Sequence, residues 1–98
     1  MEVRFADDDL RRLECDPDFN CGFGPEVVRG FRKAMQVIRA AADTRDIYAM
    51  KSLHFEKLQG ARSRQHSIRL NKQWRLIVEV EQSTEGKLIL VVSIEDYH

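Results

Sequence analysis

A chain of 98 residues with 43% hydrophobic content is long enough to bury one core and too short for two, so residues 1–98 are expected to form a single domain. No segment approaches the roughly 20 apolar residues that cross a bilayer, and the opening residues lack the basic and apolar regions of a signal peptide, which predicts a cytoplasmic protein without a membrane partner. The net charge is zero, but residues 51–75 contain seven Lys/Arg and one Glu, so a local attraction for phosphate and an ordinary solvated surface both remain open.

The chain begins with a predicted strand and a predicted helix. Val3 and Phe5 alternate with polar residues, which favours a short first strand. Three aspartates at 7–9 then precede Leu10 and Leu13. Acidic residues cap a helix N-terminus and complement its dipole, so a short helix is expected to begin there.

Both cysteines lie in the connection that follows this helix. Residues 15–25 contain two prolines and two glycines together with Cys15 and Cys21. Nothing near the two thiols supplies the further ligands of a closed zinc site. We expect reduced thiols, and a disulfide or a metal-binding role is the alternative.

A second, longer helix is predicted to begin near Pro25, because proline is favoured in the first turn of a helix. Its apolar residues recur at three- and four-residue spacing and form one stripe: Val27, Val28, Phe31, Ala34, Met35, Ile38 and Ala41. The opposite face carries Arg29, Arg32, Lys33, Gln36 and Arg39. This basic face is either solvated, as charged faces usually are, or bound to a partner or nucleic acid.

From residue 65 onward the apolar spacing changes to two, which is typical of strands. Three strands in succession are predicted over residues 65–70, 74–80 and 87–94. Helices early and strands late predict an α+β fold, in which a short first strand and two helices pack on a mainly antiparallel sheet with a C-terminal three-stranded meander.

The first hairpin of this meander has one register that keeps its apolar side chains on a single face. Leu70 is then paired with Trp74, and Ile68 with Leu76, around a three-residue loop. A slip by one residue would turn every side chain to the wrong face, so the register is strongly constrained.

The same register places Arg69 directly opposite Arg75 on the other face. Like charges at opposed positions destabilise a sheet. Either an acid such as Glu79 or Asp96 compensates for them, or the two guanidinium groups bind phosphate, whose oxygens match the planar arginine fork.

The last residues combine groups suited to proton transfer. Asp96 and His98 are two residues apart, so they point the same way if the tail that leaves the sheet at residue 95 stays extended. RNA cleavage needs a base for the ribose 2′-hydroxyl, an acid for the leaving oxygen and cations for the phosphate. His98 oriented by Asp96, Tyr97 for stacking or hydrogen bonding, and the pair Arg69 and Arg75 would supply all of these.

The other histidines give a weaker signal. Leu53, Phe55 and Leu58 are predicted to anchor their segment on the sheet and to leave His54 exposed, where an ordinary surface role is the simplest expectation. His66 alternates with apolar residues and has less claim to catalysis. Three scattered histidines without a helix-spaced pair do not indicate a metal site, so no cofactor is expected.

Three segments taken together resemble one protein family. They are LHFEKLQG at 53–60, SIRLNKQWRLIVEV at 67–80 and VVSIEDYH at 91–98. They are similar to the HigB-like branch of the RelE/ParE toxin superfamily, and the similarity spans essentially the whole chain. The resemblance implies a RelE-like fold and a toxin of a type II toxin–antitoxin system, commonly a ribosome-dependent, metal-independent endoribonuclease that cuts mRNA and inhibits translation. Relatives that cleave RNA are usually clearly basic, whereas the net charge here is zero.

The resemblance also implies roles for individual residues. The catalytic set would be His54, Arg75, Asp96, Tyr97 and His98. The RNA-binding set would be Lys57 and Arg69, which match basic positions of the family, with Arg62, Arg64 and Lys72 of the basic segment. The implied chemistry is attack of a 2′-oxygen on the adjacent phosphate, which leaves a cyclic phosphate and a free 5′-hydroxyl.

The expected partners follow from the same family. They are a helix-turn-helix, HigA-like antitoxin, the ribosome with its mRNA, and operator DNA reached through the antitoxin. Two alternatives remain open. A ParE-like inhibitor of DNA gyrase would act by binding and would need no acid/base tail, and a non-catalytic module would act as a co-repressor with its antitoxin.

Overall fold

The protein is built on a five-stranded mixed sheet. The computed structural model describes residues 1–96, in which the strands are β1 (Glu2–Phe5), β2 (Glu56–Lys57), β3 (Gln65–Arg69), β4 (Trp74–Ser83) and β5 (Gly86–Asp96). The order across the sheet is β1-β5-β4-β3-β2, with β1 parallel to β5 and the other neighbours antiparallel. The predicted α+β class, short first strand and C-terminal meander are confirmed.

Within residues 1–96 there are three α-helices, where the sequence predicted two: α1 (Asp8–Cys15), α2 (Pro25–Ala40) and α3 (Thr44–Ala49). Asp7 caps α1 by accepting a hydrogen bond from the backbone N–H of Asp9 at 2.7 Å, and Pro25 opens α2 as predicted. The missed helix α3 has six residues and buries Ile47, so it is too short to show an apolar period. None of these helices in residues 1–96 is long and apolar enough to cross a membrane.

The core lies between the helices and one face of the sheet. The predicted α2 stripe is buried, and it packs with inward side chains of the strands that include Ile68, Leu76, Val78, Ile89 and Val91. Gly30 allows the close approach of α2 to the end of β3, because a Cβ at this position would lie 2.5 Å from the carbonyl oxygen of Leu70. Helices on one side therefore leave the opposite face of the sheet available for polar side chains.

The basic face of α2 is less solvated than the sequence suggested. Arg29 and Lys33 are exposed, but Arg39 forms a two-pronged ion pair with Glu14, at 2.6 and 2.7 Å. Arg32 donates hydrogen bonds to three backbone carbonyls, those of Leu13 (3.2 Å), Asp16 (2.9 Å) and Phe19 (3.2 Å). The basic face thus fastens α2 to α1 and to the connection between them.

The β3–β4 register is the predicted one, and Arg69 lies opposite Arg75. The expectation that the chain leaves the sheet at residue 95 is wrong, because β5 continues to Asp96. In this extension Glu95 pairs with Arg75, and Asp96 pairs with Trp74. Hydrogen bonding between backbones does not require apolar side chains, so β5 could continue for two residues beyond the apolar pattern from which its end was predicted.

The two cysteines are free thiols in this structure. Cys15 is exposed at the end of α1, and Cys21 is half-buried in the connection to α2. Burial, reinforced by the charges of Asp9 and Asp7, raises the pKa of Cys21. A raised pKa keeps this thiol protonated and weakly nucleophilic at neutral pH.

Candidate functional site

Two arginines face each other on the sheet surface opposite the helices. Ile68 and Leu76 point into the core, so the next pair along, Arg69 and Arg75, points to the other face. Arg69 donates from Nε to the carbonyl oxygen of Asn71 at 3.4 Å, and Arg75 donates from Nη1 to the same oxygen at 2.8 Å. A single carbonyl therefore holds both guanidinium groups beside each other and offsets part of their repulsion.

Glu95 is a further charged residue on this surface, and the sequence reasoning missed it. The β4–β5 register places it directly opposite Arg75. Its Oε2 accepts hydrogen bonds from Arg62 Nη2 at 2.9 Å and from Ser93 Oγ at 2.8 Å. The hydrogen bond from Arg62 lowers the pKa of Glu95, and that from Ser93 adds to the effect, so the side chain is a carboxylate at neutral pH. Continuing the hairpin register past residue 94 would have found it.

Arg62, Arg75 and Glu95 line a groove of about 230 Å³. We call it the arginine groove, and its lining residues are Leu58, Arg62, Ser67, Arg75, Ile77, Glu95 and Asp96. Ile77 is buried and gives the groove an apolar base, whereas charged side chains lie around it. Of the residues predicted from the sequence, Arg62, Arg75 and Asp96 meet here, and Arg69 adjoins them. Guanidinium groups beside an apolar surface suit the phosphate of a nucleotide, whose sugar and base can pack on that surface.

The acidic end of β5 is tied to the β3–β4 turn. Asp96 accepts a hydrogen bond at Oδ2 from Gln73 Nε2 at 3.0 Å. Glu79, the other acid expected to compensate for the arginine pair, accepts from Gln65 Nε2 at 3.2 Å. The predicted catalytic residues Tyr97 and His98 lie outside the described residues, 1–96.

His54 lies in an unusual backbone conformation just before β2. It is exposed and adopts φ 47° and ψ 51°, where it ends a 3-10 turn over Lys51–Leu53. Residues other than glycine seldom occupy this left-handed region. Leu53 and Phe55 are buried on either side of it, as predicted, and they hold the segment on the core. His54 is not among the lining residues of the arginine groove.

The remaining basic residues predicted to bind RNA lie elsewhere on the surface. Lys57 and Arg64 line a second cavity of about 520 Å³, together with His66 and acids that include Glu79. Lys72 is exposed in the turn between β3 and β4. The basic segment is thus divided between the arginine groove, this second cavity and a turn.

His66 packs as an aromatic ring. It stacks on Phe55 with ring centroids 4.7 Å apart and an interplanar angle of 14°. Burial and then the charge of Lys57 lower the pKa of His66. Its buried Nδ1 has no hydrogen-bond partner within residues 1–96. In the same range no group of three or more His, Cys, Asp or Glu is placed to hold a metal ion.

Comparison with known proteins identifies relatives of this chain. The family model described as the RelE-like toxin of type II toxin–antitoxin system HigB matches residues 3–98. Among solved structures, the chain is similar to the YoeB/ParE toxin from Agrobacterium tumefaciens, with 14% sequence identity over 100% of both chains and a TM-score of 0.59. At this identity the likeness concerns the fold. No curated protein matches the chain.

Proposed function

Because the chain belongs to the HigB-like family of RelE-like toxins of type II toxin–antitoxin systems, we propose that it is a ribosome-dependent endoribonuclease that cuts mRNA and thereby inhibits translation. The resemblance noted in the sequence is confirmed by the match over residues 3–98. Membership in the family makes the protein a toxin with an antitoxin partner. The nuclease activity, its ribosome dependence and its cytoplasmic location are the proposal.

The observation that carries the proposal is the opposed pair Arg69 and Arg75 beside the arginine groove. Two guanidinium forks next to each other can bind the non-bridging oxygens of one phosphate. Charge that develops on those oxygens in the transition state would then meet donors already held in place by the Asn71 carbonyl. Preorganised donors of this kind stabilise a transition state more than a ground state.

The proposed reaction is an internal transfer within the RNA. A base removes the proton of a ribose 2′-hydroxyl, the 2′-oxygen attacks the adjacent phosphorus, and the bond from phosphorus to the 5′-oxygen breaks. An acid returns a proton to that oxygen, giving a 2′,3′-cyclic phosphate and a free 5′-hydroxyl. No metal ion is required, because the nucleophile belongs to the substrate and side chains transfer the protons.

We assign the proton-transfer roles to His98 and His54, with Asp96 orienting His98 and Tyr97 stacking on a base. The assignment of Asp96 is supported by its position in the lining of the arginine groove at the end of β5. Lys57, Arg64 and Lys72 would hold RNA beyond the scissile phosphate by charge.

The proposed partners follow from this activity. A helix-turn-helix, HigA-like antitoxin would neutralise the toxin and would bring it to operator DNA. The ribosome would present mRNA as an extended single strand. The bases of such a strand can be unstacked and splayed out around the groove, which the bases of paired RNA cannot.

A reconstituted translation reaction tests the proposal. A reporter mRNA is translated with wild-type protein, with His98→Ala or with neither, ribosomes are included or omitted, and cut sites are mapped by primer extension. We expect cuts within the reading frame that require ribosomes, and a loss of about 100-fold or more in rate for His98→Ala. Intact mRNA on translating ribosomes would contradict the proposal. Inhibition of purified DNA gyrase would then favour the ParE-like alternative, and promoter binding with the antitoxin but no toxicity would favour the co-repressor.

A further inference from the structure

The arginine groove contains its own anion. We propose that Glu95 weakens RNA binding. Its carboxylate accepts a hydrogen bond from Arg62 and lies opposite Arg75, so an RNA phosphate must displace Glu95 to bind in the groove. This inference rests on the proposed function in taking RNA as the ligand. It assigns Glu95 a role in setting affinity, which is separate from the proton-transfer roles.

The geometry places Glu95 where a phosphate would bind. Its Oε2 accepts from Arg62 Nη2 at 2.9 Å, the kind of charge-assisted hydrogen bond that a phosphate oxygen would otherwise form. The β4–β5 register sets it opposite Arg75, on the face of the sheet that also carries Arg69. Glu95 therefore opposes an incoming phosphate in two ways. It engages the guanidinium group of Arg62, and its negative charge repels the phosphate.

The ion pair is also open to exchange. The side chains of Arg62 and Glu95 are 46% and 41% exposed, and ion pairs at this exposure contribute little to stability because water screens them. Arg62 is held independently through Nε, which donates to Gln65 Oε1 at 2.9 Å. When Glu95 moves away, Arg62 would stay directed at the groove and could receive a phosphate.

Ser93 sets the resting position of Glu95. Its Oγ donates to the same carboxylate oxygen at 2.8 Å from two residues earlier in β5. The carboxylate is thus held by two donors, of which one, Arg62, belongs to the groove lining and the other does not. Removal of the Ser93 hydroxyl would loosen Glu95 without changing the charge of the groove.

The test measures RNA affinity without cleavage. A fluorescent single-stranded RNA with 2′-O-methyl groups cannot undergo 2′-oxygen attack, and its binding is followed by anisotropy over a range of salt concentrations. Glu95→Gln is compared with wild type and with Glu2→Gln. The control removes the same charge from another exposed ion pair, that of Glu2 with Arg4 on β1.

We expect Glu95→Gln to bind RNA about five- to tenfold more tightly at low salt, since Arg62 gains a phosphate contact. The slope of log affinity against log salt should steepen by about 0.7, the value for one added contact to a single strand. Glu2→Gln should stay within about twofold of wild type. In an Arg62→Ala background, Glu95→Gln should lose most of its gain, because the two residues act as a pair.

Ser93→Ala tests the restraint by Glu95 without changing the charge of the groove. We expect this variant to bind RNA more tightly than wild type, by a smaller factor than Glu95→Gln does. The inference would be overturned if Glu95→Gln bound RNA no more tightly than wild type, or if no variant bound RNA. It would also be overturned if Glu2→Gln gained as much affinity as Glu95→Gln, or if Glu95→Gln kept its full gain in affinity in the Arg62→Ala background. Cutting of mRNA by wild type in the translation reaction is scored separately. Cutting without any effect of Glu95 would overturn this inference alone, and Glu95-dependent affinity without cutting would overturn the nuclease alone.

Discussion

Asn71 organises the end of the β3–β4 hairpin with both its backbone and its side chain. Its carbonyl oxygen accepts from Arg69 and Arg75, and its Oδ1 accepts from the backbone N–H groups of Gln73 (2.9 Å) and Trp74 (2.7 Å). Asparagine is favoured in turns because its side chain can replace a backbone acceptor. The apolar register was enough to predict that the arginines are opposed. The shared carbonyl could not be predicted, because side-chain conformation leaves no periodic trace in the sequence.

His66 illustrates the same limit at a second residue. Its alternation with apolar neighbours argued against a catalytic role, but it could not show that the ring stacks on Phe55. The partner ring lies on the segment that precedes β2, and nothing periodic relates that segment to β3. Burial in this stack favours the neutral form of His66, so protonation of His66 is linked to unfolding.

Acid should destabilise the protein in part through His66. Burial holds the folded-state pKa of His66 below that of the unfolded chain, so the unfolded chain takes up the proton more readily. The stability that the neutral ring contributes to the folded state is therefore fully present above about pH 6.5 and is lost as the pH falls below that value. Urea unfolding at pH 7.5 and 5.5 should show a smaller loss of stability in His66→Phe, which keeps the ring and cannot be protonated. The same loss in variant and wild type would contradict this reasoning.

Among the elements, α2 shows how a charged face can be structural. A polar helix face has the same sequence pattern whether it meets water or backbone carbonyls, so the sequence left Arg32 either solvated or bound to a partner or nucleic acid. The last turn of α1 and the loop before α2 instead direct backbone carbonyls toward this side chain. A basic residue satisfies several acceptors that would otherwise be shielded from water.

Replacing Arg32 should weaken the junction of α1 and α2. Arg32→Met keeps much of the apolar stem and removes a donor from the three carbonyls, of which, within residues 1–96, only that of Asp16 keeps another, the N–H of Phe19. This loss should lower the free energy of unfolding by about 1–3 kcal/mol. Lys33→Met is the matched control, since Lys33 is exposed on the same helix, and its effect should stay within about 0.5 kcal/mol. Urea denaturation of both variants measures the difference. Equal stabilities of the two would show that the carbonyl contacts contribute nothing.

The elements that the sequence did not reveal are short or lack a pattern. α3 has six residues, and β2 has two residues paired with Ser67 and His66. The last two residues of β5 are acidic, yet they continue the ladder opposite Trp74 and Arg75. Periodicity detects elements through the faces that they bury, so a helix of fewer than two turns or a strand of two residues remains hidden from it.

At the scale of the whole molecule, the sheet order assembles the arginine groove. Arg62 and Glu95 are 33 residues apart in the chain. Arg62 lies just before β3 and Glu95 lies in β5, and these two strands flank β4 in the sheet, so the fold brings the two side chains together. The sequence predicted a local excess of positive charge and the overall fold, but not this meeting of an arginine with an acid. A net charge of zero therefore coexists with a groove that contains two arginines and two acids among its lining residues, Arg62, Arg75, Glu95 and Asp96.

In the proposed reaction, Arg75 stabilises the scissile phosphate of an mRNA. The most direct test is the single-turnover rate of mRNA cutting in a reconstituted translation reaction, measured for wild type, Arg75→Ala and Arg11→Ala. Arg11 pairs with Asp8 on α1, near the β1 edge and away from the groove, and serves as the matched loss of charge. We predict that Arg75→Ala cuts about 100-fold more slowly, whereas Arg11→Ala stays within about twofold of wild type. Equal rates for Arg75→Ala and wild type would show that Arg75 does not stabilise the scissile phosphate.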